Sequence, residues 1–182
     1  MKLILALCSV LIMSFFIVEK QPLKAVADKN KSVINYYMSH PAHDWSGTSK
    51  EINSTIEYNS STHQIIKVTV SAPVASFDSQ NKSRDKNMKE LTEENLYPSV
   101  NFESEQITYT GNTLSVSGKM SFHGISKKIS FQVTDKEYEN HKKVVGGFTL
   151  QLEDFKVKRP SMMMVKSSND LKIDFNMEYD LQ

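Results

Sequence analysis

Strict alternation of apolar and polar residues is the main pattern in this sequence, and the last segment shows it most clearly. From Leu171 to Leu181 every second residue is apolar or aromatic, and the residues between them are Lys, Asp, Asn, Glu and Asp. Successive side chains of a β-strand point to opposite faces of a sheet. The segment therefore predicts a strand with one buried and one solvated face, which the 3.6-residue period of a helix would not produce.

The same two-residue period recurs along the chain and predicts about eight strands in total. The other segments that carry it lie at 33–39, 52–58, 66–72, 100–109, 113–122, 128–134 and 148–152. Short turns separate neighbouring segments, for example Gly111-Asn112 and His123-Gly124. Short connections favour antiparallel pairing, because parallel neighbours need a long crossover.

Strands with one apolar face hide those faces together when the sheet closes on itself, and closure also removes exposed edges. The predicted fold is therefore all-β: an antiparallel barrel of about eight strands, a size that can enclose a small ligand. A sandwich of two sheets satisfies the alternation equally well and is the alternative.

One segment departs from the β pattern. Residues 81–96 are rich in Lys, Glu, Asn and Asp and have no run of β-branched residues. Asp78 or Ser79 is suited to cap the start of a helix, and Pro98 is suited to end one. We expect one or two short helices here, lying over an end of the sheet.

The N-terminal segment has the features of a secretory signal peptide. Lys2 precedes a mostly apolar run over 3–18, which is shorter than the roughly 20 residues of a membrane span. Ala25-Val26-Ala27 has the small residues that precede a cleavage site. We therefore expect a signal peptide at 1–27 and one exported domain at 28–182 that starts with a polar tail over 28–32. An uncleaved anchor is the alternative.

The net charge limits which partners the protein can bind, and the cysteine content limits how its fold can be stabilised. Lys and Arg number 22 and Asp and Glu 21, so the net charge of +1 provides no broad field for nucleic acid. The one cysteine, Cys8, falls in the predicted signal peptide, so the domain that remains has no disulfide. We expect no nucleic-acid partner and no stable membrane span after cleavage.

Several motifs together resemble the YceI-like family. They occur in the family's order over about 32–181: His43-Asp44-Trp45-Ser46-Gly47, Ser83-Arg84-Asp85, Tyr97-Pro98, the Gly118–Lys127 segment with its His-Gly turn, and Gly147-Phe148-Thr149-Leu150 before Asp154-Phe155. The resemblance implies a lipocalin-like barrel in the bacterial periplasm that encloses a polyisoprenoid or a similar amphiphile. Segments 91–96 and 156–160 depart from the family pattern, which leaves the mouth of the pocket and the identity of the ligand open.

Strand parity and this resemblance together predict the ligand-binding residues. The residues expected to line the barrel are Phe102, Val116, Met120, Phe122, Phe131, Phe148, Leu150, Phe175 and Met177. Those expected at the mouth, near the head group, are Arg84, His123 and Met163. Met162-Met163-Met164 is suited to form a lid over an apolar guest, and packing between strands is the alternative. We expect no cofactor other than a bound isoprenoid or lipid, and a monomer or homodimer.

Sites for catalysis and for metal are poorly supported. His123 has serines close in sequence but no acidic residue placed to complete a Ser–His–acid relay, so we expect its ring to fix the turn. His40, His43 and Asp44 offer three metal-binding groups, but Pro41 disrupts a regular spacing, and a hydrogen-bonded turn is expected.

The sequence therefore predicts an exported protein that binds a polyisoprenoid, quinone-like or other long lipid for transport, storage or stress response, and that is not an enzyme. A non-catalytic envelope interaction module with a packed interior is the first alternative. An enzyme that modifies a lipid or quinone through His123 is the second.

Overall fold

The computed structural model describes residues 21–182, so most of the predicted signal peptide lies outside the described residues. The described chain contains twelve strands and one α-helix. The helix, α1, is Lys82–Leu91, and the strands are β1 Leu23–Val26, β2 Val33–Met38, β3 Trp45–Ser49, β4 Asn53–Tyr58, β5 Ile65–Pro73, β6 Ser99–Thr110, β7 Thr113–Phe122, β8 Ile125–Tyr138, β9 His141–Gln151, β10 Ser161–Met162, β11 Val165–Lys166 and β12 Asp170–Asp180.

Ten of these strands form one curled antiparallel sheet, in the order β1-β4-β5-β6-β7-β8-β9-β12-β2-β3. The two ends of this sheet approach each other at separate points. Ala27, just beyond β1, bridges to Tyr179 of β12, and Thr48 of β3 bridges to Asp78, which follows β5. The predicted all-β antiparallel barrel is confirmed. Its sheet has ten strands, more than the roughly eight that the alternating pattern predicted.

Alternation determines which residues are buried, as β7 illustrates. Leu114, Val116, Met120 and Phe122 are buried on its inner face, and the residues between them are half-buried or exposed. Gly118 occupies the same face where β6 changes register between Ser104 and Gln106. A Cβ at this glycine would collide with the carbonyl oxygen of Glu103, so the close approach of the two strands requires the missing side chain.

The helix is capped by a residue other than the two that the sequence suggested. Asn81 is the N-cap, and its side-chain oxygen accepts hydrogen bonds from the backbone N–H groups of Ser83 and Arg84, both at 3.1 Å. The prediction of Asp78 or Ser79 was therefore wrong. No residue of α1 is fully buried. Within residues 21–182 this ten-residue helix falls well short of what a bilayer crossing requires, and the same is true of every helix described.

The segment predicted to be cleaved off contributes a strand to the sheet. β1 pairs with β4 over four residue pairs, the side chains of Ala25 and Ala27 are buried, and the Ala27 N–H donates to the Ser54 carbonyl at 2.9 Å. Residues 28–32 form a tight turn in which the Asp28 carbonyl accepts from two backbone N–H groups. The expected loose polar tail is therefore replaced by an ordered link between β1 and β2.

Candidate functional site

A long apolar cavity occupies the interior of the barrel. Its empty space is about 1610 Å³ when the opening to solvent is included. Every strand of the large sheet except β1 contributes at least one residue to the wall, and α1 contributes Met88 and Leu91. The barrel interior therefore contains apolar space, which the alternative of an interaction module with a packed interior does not predict.

A cluster of four phenylalanines lies midway along the cavity. The ring centre of Phe131 is 4.9 Å from that of Phe148, 5.4 Å from that of Phe102 and 6.1 Å from that of Phe175. Three of these rings are only half-buried although their strands direct them inward. Their free faces border the cavity, where they offer a long apolar guest a polarizable surface.

The residues predicted to line the barrel all lie on the wall of this cavity. They are Phe102, Val116, Met120, Phe122, Phe131, Phe148, Leu150, Phe175 and Met177. Strand parity is preserved over the stretches of β6, β7, β8, β9 and β12 that carry them, which is why alternation alone placed them correctly. Their contact with a ligand stays a prediction.

The cavity opens at the end covered by α1, and its mouth carries positive charge. The exposed residues of the lining, Asn87, Asn101 and Lys158, lie at this end together with half-buried Arg84. The Arg84 guanidinium is 5.7 Å from the centre of the Trp45 ring, and its Nη1 donates to the Ser79 carbonyl at 3.4 Å. No acidic residue belongs to the lining, so among the described residues its charged side chains are both cationic.

The opposite end of the cavity is closed by Ile65, Leu114 and Tyr179, which we call the floor. All three are at most 5% exposed. The hydroxyl of Tyr179 and that of Ser54 share a hydrogen bond of 2.7 Å, and burial raises the pKa of Tyr179 to about 12. The phenol is therefore neutral at any physiological pH, and the floor presents no charge to the cavity.

Next to the floor lies a buried ionic network that alternation did not predict. The Lys142 ammonium, with a side chain 3% exposed, donates to both carboxylate oxygens of Asp135, at 3.0 and 2.9 Å, and lies 3.2 Å from the carboxylate of Glu137. Tyr109 donates to Asp135 at 3.0 Å and accepts from the Ile65 N–H at 2.6 Å, and burial raises the pKa of Tyr109. The sequence did contain an indication of these positions. In the alternating pattern, Lys142 falls on the same face of its strand as Phe148, and Asp135 falls on the same face as Phe131.

Two of the predicted mouth residues lie away from the cavity wall. His123 has both ring nitrogens engaged at 2.8 Å, Nδ1 with the Phe155 carbonyl and Nε2 with the Glu93 carboxylate, and its ring packs 4.9 Å from that of Tyr97. It ties the turn between β7 and β8 to the segment after α1. Met163 is 89% exposed at the tip of the β10–β11 hairpin, so it does not form a lid.

His40 makes structural hydrogen bonds. Its Nδ1 accepts from the Ala42 N–H at 3.1 Å, and its Nε2 therefore carries the proton and donates to the Val165 carbonyl at 3.0 Å. Over residues 21–182 no group of three or more His, Cys, Asp or Glu side chains is arranged to hold a metal ion.

Comparison with known protein families gives one match that spans almost the whole described chain. The model of the YceI-like domain matches residues 26–179. A UPF0312 protein of Pseudomonas fluorescens is 27% identical over 157 residues, which cover 80% of this chain and 79% of that protein. A UPF0312 protein of Azotobacter vinelandii is 28% identical over 100 residues, and the match spans 53% of this chain and about half (52%) of that relative. Protein YceI of Shigella flexneri is 24% identical over 102 residues, which cover 54% of this chain and, again about half, 53% of that relative.

Solved structures with the same fold are distant in sequence. BcnA of Burkholderia cenocepacia superposes with a TM-score of 0.76 at 19% identity, covering 84% of this chain and 98% of that one. A polyisoprenoid binding domain from Saccharophagus degradans, implicated in plant cell wall breakdown, gives a TM-score of 0.66 at 11% identity, covering 87% and 98%. The YCEI protein of Campylobacter jejuni gives 0.66 at 16% identity, covering 75% and 84%.

Proposed function

Because this chain belongs to the YceI-like family, we propose that it is a non-catalytic binding protein that holds a polyisoprenoid or another long amphiphilic lipid inside its barrel. The observation that carries the proposal is the cavity that extends from the mouth at α1 to the floor formed by Ile65, Leu114 and Tyr179. The polyisoprenoid binding domain with the same fold supports the choice of ligand class.

Burial of an apolar chain supplies the binding energy. Each methylene removed from water contributes about 0.8 kcal/mol. A chain of ten such groups gains roughly 8 kcal/mol, from which the cost of immobilising the ligand is subtracted. The wall offers nothing but apolar contact along most of its length, so the tail is recognised by shape and the head group by the mouth.

A non-catalytic role is supported by the chemistry of the lining. Apart from two tyrosines, its ionisable side chains are Arg84 and Lys158, both at the mouth. The pKa values of Tyr36 and Tyr179 are each raised to about 12 by burial, so neither phenol transfers protons readily near neutral pH. The imidazole of His123, the one considered for catalysis, lies off the wall and bonds to neighbours.

Export to the periplasm belongs to the same proposal. The N-terminal charge and the apolar run that follows it support export. In that compartment a barrel of this kind carries or stores a lipid that water alone would not keep dispersed.

Native mass spectrometry of the protein purified in its exported form, followed by organic extraction, tests the proposal. We expect a discrete adduct whose mass and extract identify a prenyl chain or another long lipid. A protein that carries no adduct and takes up no added prenol, quinone or fatty acid would contradict the proposal.

Filling the cavity should remove binding without unfolding the barrel. Val70 of β5 lines the cavity and is only half-buried, so Val70→Trp places its added volume in empty space. We expect affinity for a long prenol to fall at least about tenfold through lost methylene contacts, measured by fluorescence displacement. Ile66→Trp, on the outer face of the same strand, is the matched control and should bind as the wild type does. Equal affinity of both variants would contradict the cavity as the binding site.

The charged mouth should favour an acidic head group. Arg84→Gln removes a cation that has no carboxylate partner in the described chain. We expect it to weaken binding of a fatty acid several-fold, as loss of a roughly 1 kcal/mol charge interaction predicts, and to leave the fatty alcohol of the same length unchanged. Lys82→Gln, at the exposed start of α1, is the control. An equal loss for acid and alcohol would show that Arg84 acts through packing alone.

A further inference from the structure

The β10–β11 hairpin carries an exposed apolar tip that the proposed function leaves unexplained. Met163 and Met164 are 89% and 99% exposed, and the residues that flank them, Met162 and Val165, are 40% and 46% exposed. Four consecutive apolar side chains in water are costly unless they meet a partner. None of them belongs to the cavity wall.

The backbone conformation of the tip is one that disfavours methionine. Met162 pairs with Val165, so Met163 and Met164 form a two-residue turn, and their φ angles are 50° and 65°. A hairpin turn with both φ angles positive favours Asn-Gly, because most side chains are strained there. The sequence instead places two long apolar side chains at the position where local structure favours them least.

The hairpin is held firmly to the rim of the mouth. The Val165 carbonyl accepts from His40 at 3.0 Å, and the Ser168 N–H donates to the Ser39 carbonyl at 2.7 Å. Within the hairpin, the Ser167 N–H donates to the Pro160 carbonyl at 2.8 Å and closes its base. Pro160 itself lines the cavity. The two methionines therefore project from a fixed support next to the opening.

The surrounding segment is basic. From 155 to 169 the chain has no Asp or Glu, and it has four cations: Lys156, Lys158, Arg159 and Lys166. Arg159 lies 3.6 Å from the carboxylate of Glu153, and Lys156, Lys158 and Lys166 are exposed. An apolar tip flanked along the chain by cations complements a membrane surface that contains anionic lipid head groups.

We propose that the Met162–Val165 tip inserts into the surface of an anionic membrane and brings the mouth of the barrel against the lipid. This goes beyond the proposed function, since the barrel can hold a guest in solution without touching a membrane. Unbranched methionine side chains suit the irregular interface of a bilayer, because they adapt to its shape. Docking in this way would let a lipid pass between membrane and cavity without crossing water.

The sharpest test is Met163→Asn/Met164→Gly, which supplies the favoured turn sequence and so keeps the hairpin. Wild type and variant, purified with the same N-terminus, are floated with vesicles of phosphatidylcholine, with and without about one-third phosphatidylglycerol. We expect the wild type to float with the anionic vesicles and the variant to lose about tenfold or more of that partitioning. Ile66→Thr, an exposed apolar residue on the outer wall, should float as the wild type does.

Ligand uptake from detergent should be the same in wild type and variant, so a failure of docking is separable from a failure of the proposed function. Flotation of the variant equal to that of the wild type would overturn the inference, and so would a wild type that floats with neither vesicle. A change from dimer to monomer in the variant, measured by light scattering without vesicles, would assign the tip to contact between copies of this chain and overturn membrane docking.

Discussion

Replacing Lys142 by methionine is expected to lower the free energy of unfolding by about 3–5 kcal/mol, the cost of leaving a buried charge without its partner. The substitution removes the cation that contacts both oxygens of Asp135, a residue only 7% exposed. The remaining Tyr109 hydroxyl, 3.0 Å from this carboxylate, donates one hydrogen bond and supplies no charge. Urea unfolding followed by circular dichroism measures the difference.

Two further variants show whether the loss comes from the unpaired charge. Lys142→Met/Asp135→Leu should recover most of the stability, because an apolar pair of similar volume replaces a buried ion pair at little cost. Tyr109 keeps the Ile65 N–H as its donor in that variant. Lys136→Met, at an exposed position of β8, should change stability by no more than about 0.5 kcal/mol. A Lys142→Met protein as stable as the Lys136→Met protein would refute the role of the network.

A chain that begins at Asp28 is expected to be less stable than one that begins at Gln21 by about 3 kcal/mol or more. The shorter chain lacks β1, and with it the four-residue ladder to β4 and the buried side chains of Ala25 and Ala27. Each lost backbone hydrogen bond costs about 0.5–1.5 kcal/mol, and loss of apolar burial adds to this. The freed edge of β4 also exposes unpaired backbone groups, which promote association.

Denaturation and size-exclusion chromatography compare the two chains directly. A chain that begins at Leu23 is the matched control, because it lacks only the exposed residues Gln21 and Pro22 and keeps all of β1. Equal stability of the chains that start at Gln21 and Asp28 would show that β1 is dispensable. The N-terminal mass of the exported protein then decides whether cleavage falls before Asp28, as the small-residue pattern predicts.

Alternation predicted most of the barrel because burial on one face imposes it directly on the sequence. The alternating pattern predicted that Val116, Phe131 and Phe148 face inward, and all three line the cavity. The prediction holds because no register change interrupts their strands. In the pairing of β4 with β5 the register shifts beside Tyr58, and Ile65 is buried where alternation had favoured Ile66. A bulge of this kind leaves no mark on the apolar pattern.

The elements that could not be predicted from the sequence were obscured for specific reasons. β1 lies inside a segment whose composition is that of a signal peptide, and the two patterns overlap at Ala25. β3 reads Trp-Ser-Gly-Thr-Ser, which has no apolar alternation, because Tyr36 of β2 covers Gly47. The positions of His123 and Met163 depend on loop conformations with positive φ, and those are not encoded by periodicity.

The floor formed by Ile65, Leu114 and Tyr179 limits the length of chain that the cavity can enclose. A chain that enters at the α1 end gains contact with every added carbon until its terminal methyl group meets these side chains. A longer chain leaves its surplus at the mouth, or displaces a phenol held to Ser54 by a hydrogen bond of 2.7 Å. If the barrel holds a long lipid as proposed, guests of different length would therefore be selected by the position of the floor, without a polar group that contacts the tail.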